Sequence, residues 1–295
     1  MPSPPPASTK IYVANHSKNG SNASIAVFPA NGSGNIAPLQ LIAGPNTQLD
    51  QIQFPAVDSN GTIYATNQGS SLAGSLVAFD PTAKGNVFPT SAISGFNTPT
   101  GVTTDGAGNI YVATVDHIYE YARGATGNAM PIRSIGANPN EASKTGLAGP
   151  YGIVIDGTGK IYVAQSEAIY VFAAGASGNV APVQNISGMG SAFASDLSVA
   201  VDSTGRIYCT NFSINTINIY PAGATGAAQP MTVVTSAALN EPFGIALDKN
   251  DNIYVANYGN SSVVEFPAGS SGAAVGTVIS GTMTGIDHPY GIAVH

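Results

Sequence analysis

The chain has 295 residues, including 35 glycines and 20 prolines, with only 9 basic and 16 acidic residues. The scarcity of charged helix-forming residues excludes a helical bundle or coiled coil, and the 43% hydrophobic content excludes a charged disordered chain. Glycine has no three-residue period, which excludes a collagen-like chain.

The first nine residues, 1–9, are rich in proline and are predicted to be a linker. They lack the basic and apolar regions of a signal peptide. The Thr/Ser/Asn/Gly-rich, lysine-poor composition of the whole chain favours an exported protein. We therefore expect an extracellular, periplasmic or cell-surface location, with the export signal already removed.

After the linker, one motif recurs along the rest of the chain at intervals of 46 to 52 residues. The motif is Ile-Tyr followed by a small or β-branched residue, then Ala or Thr. An aspartate stands five residues before all but the first copy, and short hairpins use Asp in this way for turn geometry. The copies begin at Ile11, Ile63, Ile110, Ile161, Ile207 and Ile253, and the aspartates are Asp58, Asp105, Asp156, Asp202 and Asp248.

Each repeat is predicted to contain four strands. In the fourth repeat, residues 152–155 form the first strand, Asp156 begins a turn, and strands follow from Ile161, over 169–172 and over 182–187. Four-stranded units of this length are typical of propeller blades. The sequence therefore predicts an all-β, six-bladed β-propeller of antiparallel blades, in one domain over residues 10–295.

The two chain ends are expected to share a blade. The copy at Ile11 has no first strand before it, whereas residues 290–295 form a first strand with no second strand after it. Pairing the two closes the ring and removes sheet edges, so loss of residues 289–295 should open it. Small residues near the start of the first strands should permit these strands to approach one another closely at the axis. The small residues at this position are predicted to be Ala56, Gly101, Gly152, Ser198, Gly244 and Gly291.

The pattern Pro-Tyr-Gly-Ile-Ala-Val, then Asp-x-x-Gly-x-Ile-Tyr-Val-Ala-Asn, then Val-Val-Glu-Phe, resembles the NHL-repeat propellers from about residue 10 onward. Similar propellers include gluconolactonase-type and streptogramin-lyase-type enzymes, peptide-amidating lyases and binding scaffolds. The lactonase resemblance implies a Glu/Asn/Asn/Asp metal set on the axis, and the lyase resemblance a His/Glu pair with a divalent metal. Neither set aligns with motifs of this chain, so no catalytic residue is transferred.

Two groups of residues are candidates for binding a small molecule, glycan or peptide on the axial face. Amide and hydroxyl side chains follow the second strands at matched positions, and aromatic side chains follow the prolines that precede three first strands. Packing between blades is the alternative role of the aromatic rings. The polar group is Asn15, Asn67, Thr114, Gln165, Asn211 and Asn257, and the aromatic group is Tyr151, Phe243 and Tyr290.

Asp196, Glu241 and His288 precede first strands of three consecutive blades and are candidates for a catalytic or metal site. Two carboxylates and an imidazole can hold a divalent cation such as Ca²⁺ or Mg²⁺, or perform acid–base chemistry. Solvated loop residues are the alternative interpretation.

Three functions therefore stay open. The favoured hypothesis is a binding scaffold, and the second is a metal-dependent lactonase or lyase. The third is a purely structural repeat protein, in which a long loop near 136–149 would contact partners. No basic cluster suits nucleic acid, and no apolar run is long enough for a membrane span. The single cysteine, Cys209, is expected to be a buried thiol. We expect a monomer.

Overall fold

The computed structural model describes residues 9–16, 23–69, 74–187 and 196–295, without the side chains of residues 196 and 197. Residues 1–8 of the predicted linker lie outside the described residues. The described chain forms β-strands and one 3-10 helix, Pro45–Thr47. In chain order the strands are β1 (Lys10–Asn15), β2 (Ser24–Pro29), β3 (Gln40–Ala43), β4 (Ile52–Val57), β5 (Ile63–Asn67), β6 (Gly74–Phe79), β7 (Ser91–Phe96), β8 (Val102–Thr104), β9 (Ile110–Ala113), β10 (Ile118–Tyr121), β11 (Arg133–Ile135), β12 (Ile153–Ile155), β13 (Ile161–Gln165), β14 (Ala168–Phe172), β15 (Gln184–Ser187), β16 (Asp196–Val201), β17 (Ile207–Asn211), β18 (Thr216–Tyr220), β19 (Thr232–Thr235), β20 (Pro242–Leu247), β21 (Ile253–Asn257), β22 (Ser262–Phe266), β23 (Gly272–Ala273), β24 (Thr277–Ile279) and β25 (Pro289–Val294).

These strands form six antiparallel blades, as the repeat predicts. From the inside outward, the blades are β25-β1-β2-β3 (blade 1), β4-β5-β6-β7 (blade 2), β8-β9-β10-β11 (blade 3), β12-β13-β14-β15 (blade 4), β16-β17-β18-β19 (blade 5) and β20-β21-β22-β24 (blade 6). Each inner strand contacts the inner strands of both neighbouring blades, so the six inner strands form a closed ring around the axis.

The ring closes through the chain ends, which confirms the predicted shared blade. Strand β25 pairs antiparallel with β1, with Val294 opposite Ile11. The Lys10 amide donates to the His295 carbonyl at 2.7 Å, and the His295 amide donates back to Lys10 at 3.0 Å. Blade 1 is therefore built from both ends of the chain, and β1 lies between β25 and β2 rather than at the edge of the sheet.

The repeated aspartates build the hairpins between first and second strands, as predicted. Asp156 is representative: one carboxylate oxygen accepts from the Thr158 and Lys160 amides at 2.8 and 3.0 Å. The other accepts from the Tyr162 hydroxyl at 3.0 Å. Burial would raise the pKa of Asp156, but these hydrogen bonds outweigh burial and hold the pKa below its usual value. The aspartates are thus structural residues of the turns.

A second repeated contact fastens each blade to the preceding one. A glycine in the turn between third and fourth strands pairs in parallel with the outer strand of the previous blade; for example, the Gly85 amide donates to the Leu41 carbonyl at 2.7 Å. This contact covers outer edges that would otherwise be free to pair with another chain. The pairs are Gly34 with Ile279, Gly85 with Ile42, Gly127 with Ile93, Gly178 with Ile135, Gly226 with Ile186, and Gly272 with Val234.

The apolar core is divided into six clusters, each formed mainly by two adjacent blades. Cys209 is buried in the cluster between blades 4 and 5, as expected. Small residues do permit close approach of the inner strands: a Cβ on Gly244 would lie 2.6 Å from the Tyr290 carbonyl oxygen. The predicted small residue is wrong in blade 2. Pro55 and Ile245 pair with matching residues of their second strands, so the residue that matches Gly244 is Phe54 and not Ala56.

Candidate functional site

Two cavities lie along the axis. The first, of about 250 Å³, is the channel between the six inner strands. The second, of about 400 Å³, lies at the end of the ring where the inner strands begin. We call the second cavity the axial cup; it is lined by His16, Gln53, Gln68, Tyr151, Phe212, Phe243 and Tyr290.

Phe243 is the centre of the aromatic cluster in the axial cup. Its ring stacks on Tyr290, with centroids 4.2 Å apart and planes at 11°. Tyr151 and Phe212 stand almost perpendicular to it, at 84° and 86°, with centroids 6.2 and 6.3 Å away. Phe54 of blade 2 lies 6.1 Å from the same ring. Rings from several blades therefore meet over the axis.

Tyr290 is sandwiched between Phe243 and His16, whose ring lies 4.0 Å from it and is tilted by only 3°. The Nδ1 atom of His16 lies 3.1 Å from the Ile52 carbonyl oxygen. The Gln53 Nε2 atom, which can only donate, also lies 3.4 Å from Nδ1. The contact to the carbonyl is shorter, and because a carbonyl can only accept, this contact favours the tautomer with the proton on Nδ1 and with Nε2 as an acceptor. Burial lowers the pKa of His16, opposed by the Ile52 carbonyl and the Asp50 charge. Burial likewise raises the pKa of Tyr290. The cup lining is accordingly uncharged at neutral pH.

The three aromatic residues predicted for binding, Tyr151, Phe243 and Tyr290, all line the cup, and the structure brings them together. His16, Gln68 and Phe212 also line the cup and are not among the site residues predicted from the sequence. Each of them directly follows the last residue of a second strand, so they occupy matched positions one residue beyond the predicted polar group. That shared position was the signal that could have found them.

The predicted polar group holds loops in place. The Asn67 side-chain amide donates to the Gln48 carbonyl and Ser75 hydroxyl, at 2.8 and 3.0 Å, and its oxygen accepts from the Asp50 amide. Asn15, Asn257 and Gln165 make matching bonds to the loops before their own inner strands. Thr114 bonds to His117, and Asn211 accepts from the Ile214 amide. Ligand binding by this group stays a prediction, and a ligand would compete with these bonds.

Glu241 and His288 occupy equivalent loop positions, both with positive φ, at 47° and 45°. The Glu241 carbonyl accepts from the Tyr258 amide at 3.0 Å, and the His288 ring packs against the Tyr258 ring at 5.0 Å. The His288 Nδ1 lies 2.6 Å from the Asp287 carboxylate, which orients the ring. Asp287 and His288 thus form a dyad beside the cup, and of the two only His288 is predicted as a site residue from the sequence.

Asp196 does not occupy the same position as Glu241 and His288. It lies opposite Asn211, just as Pro242 lies opposite Asn257 and Pro289 opposite Asn15. Asp196 therefore corresponds to the two prolines, one residue later than the alignment placed it, and its side chain is not described. Among the described side chains, no three His, Cys, Asp or Glu residues converge in a way that could hold a metal ion.

Charge is distributed unevenly between the two ends of the propeller. The cup side consists of the loops that follow second strands or precede inner strands. Among the described residues, these loops contain six carboxylates and one cation, Lys144. Lys18 lies outside the described residues. The other seven described Lys and Arg residues lie in or beside the turns and strand ends of the opposite side. The six carboxylates are Asp50, Asp116, Glu141, Glu167, Glu241 and Asp287.

The fold and the repeat define the class of protein. The NHL repeat family matches residues 239–266, which contain β20 to β22 of blade 6. The chain is a six-bladed β-propeller with an NHL repeat in its last blade. No helix of the described residues has the length and apolar character needed to span a membrane.

Solved structures with this fold have diverse descriptions. A protein of unknown function from Bacteroides caccae matches with a TM-score of 0.65 at 10% identity, covering 97% of this chain and 98% of that chain. A putative 6-phosphogluconolactonase from Bacteroides fragilis matches with 0.63 at 14% identity, covering 100% of both chains. A virginiamycin B lyase from Staphylococcus aureus matches with 0.59 at 12% identity, covering 96% and 84%. Such identities establish the fold alone. A comparison with curated proteins finds no match.

Proposed function

We propose that the protein is a binding scaffold whose ligand occupies the axial cup. The observation that carries this proposal is the convergence of aromatic rings from four blades on one cavity, with His16, Gln53 and Gln68 as polar groups beside them. Concave, largely apolar cavities with a few polar groups are the usual form of a small-molecule site. The lysine-poor composition supports an extracytoplasmic setting, which fractionation of the native cells would test.

A thermal-shift screen tests the proposal. Neutral glycans, short peptides and small amines are added to the protein, and a true ligand raises the melting temperature because it binds only the folded state. At about 100 times its dissociation constant, a ligand stabilises the fold by about 2.7 kcal/mol. We expect the shift to disappear in Tyr151→Ala and Phe212→Ala.

The matched control is Phe88→Ala, which removes an aromatic side chain that is 68% exposed and lies outside the cup. This variant should keep the full ligand-induced shift. Hits whose shifts survive both cup substitutions would contradict the proposal, and a screen without any hit would favour the purely structural reading.

A hydrolase or lyase is the second candidate, favoured by one observation, the Asp287–His288 dyad beside the cup. A carboxylate-oriented imidazole can act as a general base. Lactone and cyclic-ester substrates, assayed with chelator and with added Ca²⁺ or Mg²⁺, test this candidate function, and any activity should be lost in His288→Ala. Activity that survives His288→Ala would exclude the dyad.

A further inference from the structure

The walls of the axial cup bring together aromatic rings that are almost perpendicular to one another. Tyr151 and Phe212 stand perpendicular to Phe243, and all three line the cavity. The face of an aromatic ring is electrically negative because of its quadrupole, so rings grouped around one space attract a cation. Aromatic side chains grouped around a cavity are one means by which proteins recognise alkylated ammonium groups.

None of the described residues that line the cup has a side chain that would repel a cation. The one titratable nitrogen base among these described residues is His16, whose pKa is lowered mainly by burial, so the ring is neutral at neutral pH. In the tautomer that the shorter contact to the Ile52 carbonyl favours, Nδ1 donates to that carbonyl and Nε2 is left as an acceptor for a donor group of a ligand.

The surface around the cup is acidic, which is a second and independent observation. Six carboxylates stand on this side among the described residues against Lys144 alone. Asp50 is close enough to the cup that its charge acts on the pKa of His16. Clefts surrounded by one sign of charge concentrate ligands of the opposite sign. The rings and the surrounding charge therefore favour the same kind of ligand.

From these two observations we infer that the ligand of the axial cup is a small organic cation with an alkylated ammonium group. The inference rests on the proposed binding function and names the ligand class. A cavity of about 400 Å³ holds such a head group together with a short hydroxylated or aliphatic chain. A neutral saccharide fits less well because one of the two amides, Gln53, already donates to the Gln51 carbonyl at 3.2 Å.

Calorimetric titration with choline and with 3,3-dimethylbutan-1-ol tests the inference. The two molecules have the same shape, but only choline is charged. We expect choline to bind about tenfold more tightly, because cation–π attraction and the acidic surroundings act on the charge alone. Tyr151→Leu and Phe212→Leu should each weaken choline binding by about tenfold, whereas Phe88→Leu should not change it.

Two charge-removing substitutions, one on each side of the propeller, test how much the surrounding carboxylates contribute to choline binding. Glu167→Gln, on the cup side, should weaken choline binding by about twofold, and the effect should fade between roughly 50 mM and 500 mM salt. Asp80→Asn, in an exposed turn on the opposite side, should have no effect.

The outcomes separate the inference from the proposed function. Equal binding of choline and its neutral isostere overturns the inference. So does a neutral or anionic ligand whose binding is lost in the cup variants, if choline itself does not bind. In both cases the proposed binding function stands. If neither cations nor any other compound of the thermal-shift screen binds at the cup, both fall.

Discussion

Glu120 and Glu265 occupy the same position in the third strands of blades 3 and 6, each opposite the tyrosine of the second strand. Their surroundings differ. Glu120 forms an ion pair with Arg133. Glu265 has Tyr254 and Asp248 beside it, and burial followed by the Asp248 charge raises its pKa. At the same position of the repeat, the carboxylate of blade 3 is thus paired with a cation, whereas the carboxylate of blade 6 lies beside another carboxylate.

Substituting each glutamate by glutamine should move stability in opposite directions. Glu120→Gln leaves Arg133 without its charged partner and should cost about 1–3 kcal/mol. Glu265→Gln removes a charge that the fold disfavours while keeping an acceptor for Tyr254, and should stabilise the protein at neutral pH.

The pH dependence gives the sign of the Glu265 effect. A carboxyl group with a raised pKa binds its proton more tightly in the folded state, so wild-type stability falls as the pH rises from the ordinary glutamate range through the pKa of Glu265. Chemical denaturation at a series of pH values should show that Glu265→Gln gains over wild type only above this range. A gain of equal size at low pH would contradict the assignment.

At the scale of strands, the backbones of the neighbouring inner strands β20 and β25 approach each other closely. A Cβ on Gly244 would meet the Tyr290 carbonyl oxygen at 2.6 Å and the Gly291 Cα at 3.0 Å. These neighbours are backbone atoms and cannot rotate away. The strands that carry the cup aromatics are therefore positioned by a contact that admits no side chain at this point.

Gly244→Ala should destabilise the protein by about 1–3 kcal/mol through overpacking. Because Tyr290 is the residue displaced, ligand binding in the cup should weaken as well. Gly106→Ala is the control, since a Cβ there meets nothing within 4 Å and the residue has no positive φ. Thermal denaturation of both variants gives the comparison, and equal melting temperatures would show that the inner strands can move apart freely.

At the scale of the molecule, the ring is held closed by hydrogen bonds between its first and last strands, backed by the apolar cluster between blades 1 and 6. The same strand, β25, carries Tyr290 and follows the Asp287–His288 dyad. Closure and assembly of the cup therefore depend on one segment.

A chain that ends at residue 288 should lose cooperative unfolding and should not bind cup ligands, because β1 loses its inner partner and the aromatic cluster loses Tyr290. A circular permutant that joins residues 295 and 9 by a short linker and begins at Glu167, in an exposed turn, keeps every blade intact. It should melt near the wild-type temperature. Scanning calorimetry of the two proteins checks this, and a cooperative transition in the truncated chain would contradict closure as the stabilising contact.

Several features were predictable from the sequence because they depend on residues within one repeat. The six Ile-Tyr copies predicted the number of blades, and the aspartates predicted the turns through their hydrogen bonds to amides two and four residues later. The incomplete repeats at the two ends predicted the pairing of β25 with β1. Turn chemistry and strand alternation are local properties, so counting residues was sufficient.

The tertiary structure decided which side chains meet on the axis. β4, β16, β20 and β25 share the same one-residue bulge where the inner strand begins. The register against the second strand therefore identifies the equivalent positions: Phe54 rather than Ala56 matches Gly244. Asp196 likewise matches Pro242 rather than Glu241. A shift of one residue turns a side chain to the other face. His16 and Tyr290 are far apart in sequence and stack only because the ring closes. The sequence alone therefore determined the propeller, its closure and its turns, whereas the cup arose from strand register and from contacts between blades, which no single repeat contains.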